Sequence, residues 1–309
     1  MVTLSLVVPC FNEQESIPIF YKESSEILKN LEQKDIICEI IFVDDGSKDD
    51  TAKIIEKIGQ TDDRVHYIVF SRNFGKEAAM LAGLREAKGA YVVLLDADLQ
   101  HPPLFIPQML NAVSSGEFDC AGMLRTRTGD SRIRSFFSRC FYRIISKLTE
   151  MEVTDGEGDF RLMSRPYVDA ILSLSERSRF SKGIFPWIGF RTKWFEYENV
   201  QRIVGKTKWP FKKLFLYSMD GIIGFSSKLL SVASVCGILA FLASLAVIIF
   251  SIIRKLVWGV PVDGWTTLIC VISFFSGVQL LTIGILGQYL AKTYNEVKQR
   301  PHYLIKDKK

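Results

Sequence analysis

Two long runs without a charged residue limit what this chain can fold into. Residues 229–253 and 264–291 contain no Asp, Glu, Lys or Arg. Each is longer than the roughly 20 residues that an α-helix needs to cross a bilayer. A core helix of a soluble protein is the alternative for either run, but two such runs in succession disfavour it. The sequence therefore predicts a two-helix transmembrane hairpin over residues 221–292.

The charges around these runs predict an orientation. The loop 254–263 has two basic residues, Arg254 and Lys255, whereas eleven lie before the first apolar run or after the second: Lys206, Lys208, Lys212, Lys213, Lys228, Lys292, Lys298, Arg300, Lys306, Lys308 and Lys309. Short loops rich in Lys and Arg stay in the cytoplasm. The start of the chain has no basic leader before its short apolar run, so we expect no cleaved signal. We expect a multi-pass protein of the cell (plasma) membrane, with its main domain and both termini cytoplasmic.

Residues 1–220 have the pattern of a globular domain, and residues 293–309 that of a basic cytoplasmic tail. In the first part, apolar runs at 3–8, 39–43, 65–70 and 91–95 alternate with amphipathic segments. Strands that alternate with helices indicate right-handed βαβ units and a parallel sheet. The sequence thus predicts an α/β fold. The net charge of +5 is too small to imply nucleic-acid binding.

Polar side chains follow each of these four predicted strands. They are Asn12 and Glu13, Asp44 and Asp45, Arg72 and Asn73, and Asp96 and Asp98. In parallel sheets, ligands bind beyond the carboxyl ends of the strands. Neither a G-x-G-x-x-G motif nor a P-loop is present, which disfavours a dinucleotide site and a P-loop NTPase.

Asp96 and Asp98 follow the fourth strand and precede Pro102 and Pro103. Two carboxylates at positions i and i+2 can point the same way. Their hard oxygen atoms suit Mg²⁺ or Mn²⁺, ions that often arrive with phosphates. We interpret this stretch as the place where a nucleotide-sugar diphosphate is held through a metal. A surface turn with two solvated aspartates is the alternative.

The later part of the globular region predicts contact with a membrane surface. Residues 131–148 form a basic, aromatic helix pattern, and residues 200–211 combine basic residues with Trp209. Both are typical of interfacial helices or anchors on an anionic membrane. A helix packed on the sheet is the alternative for the first. Residues 158–162 read as a turn before a short strand, and residues 177–189 as a loop. The six cysteines and three histidines are scattered, which does not support a zinc cluster or disulfide framework.

Several ordered motifs resemble glycosyltransferase family 2, whose fold is the nucleotide-diphospho-sugar transferase fold called GT-A. They are LVVPCFNE at 6–13, IFVDDGS at 41–47 and DADLQHPP at 96–103. The stretch SRNFGKEAA at 71–79, the stretch GDFRL at 158–162 and the two apolar runs narrow the resemblance. Together they resemble the polyprenyl-phosphate glycosyltransferases, which include the bactoprenol glucosyltransferases and dolichol-phosphate mannosyltransferases. The match covers essentially the whole chain.

The resemblance implies roles for individual residues. The nucleotide-sugar would be bound by Pro9, Asn12, Glu13, Asp44, Asp45, Asn73, Lys76 and Asp96. Asp98 and Gln100, together with Asp96, would hold the Mg²⁺ or Mn²⁺. The lipid phosphate would be bound by Arg125, Arg134, Ser138, Arg139 and Arg202. Asp96 and Asp159 would be catalytic, with Asp159 at the position of a proposed base.

The implied reaction is inverting transfer of one sugar to polyprenyl (undecaprenyl) phosphate, with UDP-glucose or UDP-N-acetylglucosamine as the preferred donors. The Q-x-x-R-W motif of processive synthases is absent, which favours single transfer. A phosphate monoester is largely ionised at neutral pH, so we expect Asp159 to position the site as much as to remove a proton. Two alternatives stay open: a glycolipid synthase with another lipid acceptor, and an inactive membrane scaffold or transport-associated subunit. Glycines at 277, 284 and 287 make a homo-oligomer plausible. The sequence does not reveal the sugar, the downstream glycan or the oligomeric state.

Overall fold

The fold is that of a computed structural model, which describes residues 3–100, 102–125, 156–197, 223, 226, 228–258 and 264–309. The chain divides into two units. One contains the described residues up to 197 together with Arg300–Lys309, and the other contains the described residues between 223 and 299.

The first unit is built on a mixed β-sheet. Its described strands are β1 (Leu4–Cys10), β2 (Cys38–Asp44), β3 (Val65–Phe70), β4 (Tyr91–Leu94), β5 (Cys120–Arg125), β6 (Glu157–Ser164), β7 (Thr192–Tyr197) and β8 (Ile305–Lys308). They lie in the order β7-β5-β6-β4-β1-β2-β3-β8. Strands β1 to β4 are parallel to their neighbours among themselves, as the alternating pattern predicts. Strand β6 is antiparallel to both β4 and β5, and β8 is antiparallel to β3.

Helices cover both faces of this sheet. They are α1 (Ser16–Glu32), α2 (Thr51–Thr61), α3 (Lys76–Glu86), α4 (Ile106–Ser114), α5 (Arg165–Ser173) and α6 (Ser181–Trp187), with a 3₁₀ turn at Pro103–Phe105. Side chains of β1 alternate between the two faces, as the two-residue period of a strand requires. Leu6 and Val8 belong to the core cluster that includes Phe20 of α1. On the other face, α3 packs so closely that a Cβ on Gly83 would collide with Val7.

The structure corrects three local expectations. Strand β1 continues two residues beyond the predicted run 3–8 and includes Pro9, because the register with β4 ends at Val7 and Pro9 interrupts no pairing there. Gly158 and Asp159 lie inside β6 rather than in a turn, since pairing with β5 continues to Glu157. The predicted loop 177–189 contains α6. That helix is too short to show a clear sequence period, and its first residue is held by contacts from a distant helix.

The last residues of the chain join the sheet of the first unit. Sequence patterning predicts only a basic tail for residues 293–309. In the structure, β8 pairs with β3, and the backbone N–H of Ser71 donates to the carbonyl of Leu304 at 2.9 Å. The chain therefore leaves the first unit, passes through the second, and returns to complete an edge of the first.

The second unit consists mainly of two long helices, α7 (Lys228–Trp258) and α8 (Trp265–Lys298). Both are long enough and apolar enough to cross a membrane. Their large apolar side chains are mostly exposed, among them Phe241, Leu280 and Leu281. A core helix of a soluble protein would bury such side chains against its own domain, and exposed apolar surface of this extent marks contact with lipid or protein.

Candidate active site

The four polar strand ends of the sequence analysis meet at one edge of the sheet. Strands β1 to β4 run in the same direction, so their carboxyl ends share that edge. Strand β6 runs the opposite way and begins there. Its register pairs Arg161 with Leu94, which brings Asp159 level with Asp96. Strand β5 ends at Arg125 and runs parallel to β4, since both are antiparallel to β6, so the backbone of Arg125 ends at the same edge.

The turns after β1 and β2 bind each other through side chains. Asn12 has a left-handed backbone, with φ of 53°, a conformation that Asn adopts more readily than most residues. The backbone N–H of Asn12 donates to Ser47 Oγ at 2.8 Å, and the side-chain Oδ1 of Asn12 accepts from the backbone N–H of Lys48 at 2.9 Å. The Glu13 N–H donates to Thr51 Oγ1 at 2.8 Å. These hydrogen bonds join two turns that are about 35 residues apart in sequence, and the joined turns form one side of the site.

Asp44 and Asp45 are both buried, but they serve different neighbours. Asp44 accepts hydrogen bonds from the N–H and the hydroxyl of Ser47. Asp45 accepts from the N–H of Phe74 at 2.6 Å and of Gly75 at 2.9 Å. Asp44 therefore holds its own turn, whereas Asp45 fixes the loop 71–75 that follows β3.

Burial disfavours the ionised form of both carboxyl groups. Burial raises the pKa of Asp44, although bonds from Ser47 partly offset it. Burial also raises the pKa of Asp45, to about 6, against the opposing effect of the Phe74 and Gly75 amides. Asp45 is consequently a group whose charge changes close to physiological pH.

Lys76 joins two carboxylates that are distant in sequence. Its Nζ lies 2.7 Å from Asp96 Oδ1 and 2.5 Å from Asp159 Oδ2. Burial favours the neutral amine, but the two carboxylates outweigh it and raise the pKa of Lys76. Burial likewise opposes the charge of Asp159, yet Lys76, Lys182 and Arg161 hold its pKa well below the usual range. Asp159 is therefore ionised throughout the physiological range.

Asp98 and Gln100 follow Asp96 in a turn after β4. Leu99 between them has a left-handed backbone, with φ of 57°, and the Gln100 N–H donates to Asp98 Oδ1 at 3.1 Å. Within the described part of the chain, no three His, Cys, Asp or Glu side chains gather closely enough to hold a metal. Mg²⁺ is usually held by one or two carboxylates together with substrate phosphates, so these residues fit a metal shared with a diphosphate.

Three further contacts were not visible in the sequence patterns. Ser181, the first residue of α6, donates from its N–H to Glu77 Oε1 at 3.0 Å and from its hydroxyl to Glu77 Oε2. The next residue, Lys182, acts electrostatically on Asp159 and helps to lower its pKa. Beneath them, the buried Arg161 pairs with Glu157 at 2.7 Å and lies 3.5 Å from the centre of the Phe185 ring.

Other predicted site residues are placed less completely. Pro9 is buried in β1, and the exposed Asn73 accepts a bond at its carbonyl from Arg72 at 2.8 Å. Residues outside the described ranges are Arg134, Ser138, Arg139 and Arg202, together with the predicted interfacial helix 131–148. Their roles stay predictions.

Residues 5–172 match the profile of Glycosyl transferase family 2. The chain belongs to glycosyl transferase family 2. It is 41% identical over 305 residues to the SfII prophage-derived bactoprenol glucosyl transferase of Shigella flexneri, covering 98% of this chain and 97% of the relative. This family 2 chain is therefore a glycosyltransferase, and its sheet is the GT-A fold that the motifs predict.

One solved structure supports the fold, and a second is similar to part of this chain. A crystal structure of a mycobacterial protein covers 72% of this family 2 chain and 73% of its own length, with a TM-score of 0.50 and 19% identity. Glucosyl-3-phosphoglycerate synthase from Mycobacterium tuberculosis, in complex with Mn²⁺, UDP-glucose and phosphoglyceric acid, covers 72% of this chain and 78% of its own length. Its TM-score is 0.49 and its identity 21%.

Replacing Asp45 by asparagine is expected to separate stability from donor binding. The folded-state pKa of about 6 lies above the ordinary value of about 3.9, so the folded protein binds this proton more tightly than the unfolded chain. The contribution of Asp45 to the free energy of unfolding therefore falls as pH rises from about 4 to about 6, and stays low above that. An asparagine side chain at this position has no charge to bury and keeps an acceptor for the loop amides.

The Asp45→Asn protein should unfold at a higher temperature than wild type at pH 8, with a gain on the order of 1 kcal/mol that vanishes near pH 4. The KM for the nucleotide-sugar should rise at pH 8 because the carboxylate that fixes the loop 71–75 has lost its charge. Thermal unfolding from pH 4 to 8 measures the first effect, and initial rates measure the second. A variant that is less stable at pH 8 would contradict the assigned effect of burial.

Proposed function

We propose that this chain is a membrane-bound, inverting glycosyltransferase that transfers one sugar from a nucleotide-sugar to a polyprenyl phosphate. One observation carries the proposal. The carboxylate-lined sheet edge and the two exposed apolar helices occur in one chain, which matches a bactoprenol glucosyl transferase over nearly the full length of both. The relative's name favours glucose as the sugar and undecaprenyl phosphate as the acceptor.

The path of the chain supports a membrane hairpin with both ends on one side. Strand β8 belongs to the same sheet as β1 to β4, although α7 and α8 lie between them in sequence. If the chain crosses a membrane within residues 223–299, it must cross an even number of times. Two crossing helices satisfy this condition, and the flanking Lys and Arg residues favour a cytoplasmic catalytic unit.

The donor side of the proposed reaction uses the ends of β1, β2 and β4. Asn12, Glu13 and Asp45 would line the nucleotide pocket, and Asp98, with Gln100 and Asp96, would hold Mg²⁺ or Mn²⁺. When bound, such an ion neutralises the departing nucleoside diphosphate as a Lewis acid. The Nζ of Lys76 lies within hydrogen-bond distance of both Asp96 and Asp159, so Lys76 would hold the Asp96 side chain in position for the donor.

The acceptor side requires cations more than it requires a base. An oxygen of the lipid phosphate attacks the anomeric carbon while the bond to the diphosphate oxygen breaks, and the electron pair leaves with the diphosphate. A phosphate monoester has a second pKa near 6, so the acceptor is largely ionised before it binds. Asp159, whose pKa is strongly lowered, is a weak base. The proposed role of Asp159 is to hold the Lys76 ammonium and so to position the groups of the site.

Lys182 is the described cation best placed to bind the acceptor phosphate. Its charge helps to lower the pKa of Asp159, and it lies in α6, whose first residue, Ser181, is hydrogen-bonded to Glu77. It makes no hydrogen bond or ion pair with any residue in the described ranges. Arg125, whose backbone ends β5 at the same edge, and the predicted Arg134, Ser138, Arg139 and Arg202 would add further charge.

A reconstituted assay tests this function directly. Purified full-length protein in detergent is given Mg²⁺ or Mn²⁺, a panel of nucleotide-sugars, and either undecaprenyl phosphate or diacylglycerol. We expect mass spectrometry to find a hexosyl-phosphate lipid that is labile to mild acid, formed best from UDP-glucose. A product formed only with diacylglycerol would instead show a glycolipid synthase.

In the same assay, Lys182→Gln is expected to raise the KM for undecaprenyl phosphate about tenfold and to leave the donor KM nearly unchanged. Loss of one hydrogen bond between charged groups has about this effect. Lys53, an exposed lysine that pairs with Asp50, provides the matched control as Lys53→Gln. Equal increases in both KM values for Lys182→Gln would argue against an acceptor role.

A further inference from the structure

The C-terminal segment 301–309 contacts three parts of the first unit. Strand β8 pairs with β3, from Ile68 opposite Lys308 to Phe70 opposite Ile305. Lys308 Nζ lies 2.7 Å from Glu86, at the end of α3. The Arg177 guanidinium donates to the carbonyl of Pro301 at 3.1 Å, in the segment that precedes α6.

A row of aromatic rings leads from this segment to the donor loop. The ring of Tyr303 stacks on Phe70, with centroids 4.9 Å apart and an interplanar angle of 11°. Phe70 also contacts the ring of Phe74 edge-on, with centroids 5.8 Å apart and an interplanar angle of 89°. Stacked and edge-on aromatic pairs at these separations are favourable beyond their buried area.

The end of this row is the loop whose amides hold Asp45. The Phe74 N–H donates to Asp45 at 2.6 Å, and Gly75 donates to the same carboxylate. The guanidinium of Arg72 lies 4.0 Å from the centre of the Phe74 ring and covers it. On the far side of this loop the backbone is tightly enclosed, because a Cβ on Gly46 would collide with the backbone of Arg72. A shift of Phe74 would thus displace the amides that fix Asp45.

We propose that Tyr303 is a positioning residue for the nucleotide-sugar, acting through Phe70 and Phe74 on the loop that holds Asp45. The residues after the last apolar helix would then support the donor site indirectly, in addition to forming a basic tail. The inference rests on the proposed function, because it takes Asp45 to line a nucleotide pocket. Tyr303 itself touches neither substrate and takes no part in bond making.

Binding of UDP-glucose to the full-length protein with Mn²⁺, measured by isothermal titration calorimetry, tests the inference. Tyr303→Ala is expected to weaken binding about three- to tenfold, the range for loss of one aromatic pair. Tyr303→Phe should bind as wild type, because stacking does not need the hydroxyl. The control is Lys306→Ala, which removes an exposed side chain from the same strand. Amide hydrogen exchange should be faster at Phe74 and Gly75 in Tyr303→Ala alone.

The possible failures are distinguishable. If the wild-type protein binds no nucleotide-sugar, the proposed function is wrong. If it binds and Tyr303→Ala binds equally well, the positioning role is wrong and the function stands. Should Tyr303→Ala not fold, Tyr303→Leu replaces it, since leucine keeps apolar contact with Phe70 without stacking. Loss of folding in both variants would make Tyr303 a residue of stability and would overturn the inference.

Discussion

Replacing Asp98 by alanine is expected to reduce kcat/KM by about 10²–10³-fold in the reconstituted transfer reaction. The described part of the site offers few carboxylates for a divalent ion, and one of them, Asp96, already pairs with Lys76. In the proposed ligand set Asp98 is the main protein ligand, so its removal would weaken ion binding and leave the charge on the departing diphosphate less neutralised. Metal stabilisation of that kind contributes several kcal/mol, and about 1.4 kcal/mol corresponds to each factor of ten.

Chelation should reproduce this loss in the wild-type protein. With EDTA in excess, initial rates should fall to the level of Asp98→Ala, and Mn²⁺ or Mg²⁺ should restore them in wild type alone. Asp63→Ala is a suitable control, because Asp63 is an exposed carboxylate at the turn before β3, far from the carboxyl ends of the strands. Full activity of Asp98→Ala with all divalent ions chelated would show that this turn is a solvated surface turn.

The sequence predicts the first four strands because their signals are local. Each is a short apolar run followed by polar residues, and β1 and β2 are buried along their whole length. Parallel order then brings Asn12, Asp45 and Asp96 to one edge without any further information. The same local patterns do not identify β8, whose four residues are all exposed and three of them charged. Only pairing with β3 makes that segment a strand.

The central ion pairs of the site are long-range contacts and could not be derived from spacing. Lys76 reaches Asp96 across 20 residues and Asp159 across 83. The resemblance assigned Lys76 to the nucleotide-sugar, whereas in the structure its Nζ is held between two carboxylates. Ser181 and Glu77 are 104 residues apart, and although Glu77 belongs to the stretch 71–79, nothing in that stretch indicates Ser181 as its partner. Such contacts depend on the order of strands in the sheet, which places β6 next to β4.

Asp159→Asn should lower kcat about 10²-fold, by a factor that does not change between about pH 6 and pH 9. Lys76 and Lys182 overcome the effect of burial and keep the pKa of Asp159 far below this range, so the carboxylate is ionised throughout and is a poor proton acceptor. The acceptor phosphate ionises by itself with a pKa near 6. The substitution removes one of the two carboxylates that hold the Lys76 ammonium. This electrostatic role does not depend on pH within the range.

A general base would give a different profile. If Asp159 removed the phosphate proton, the variant would be most impaired near pH 6 and would approach wild type near pH 9, where the acceptor has already lost that proton. Asp119→Asn is the matched control, because Asp119 also takes part in an ion pair, with the Arg191 guanidinium, but precedes β5 at the opposite edge of the sheet. Its profile should follow wild type. Recovery of Asp159→Asn at high pH, with Asp119→Asn unchanged, would assign proton transfer to Asp159 and remove the positioning role proposed for it.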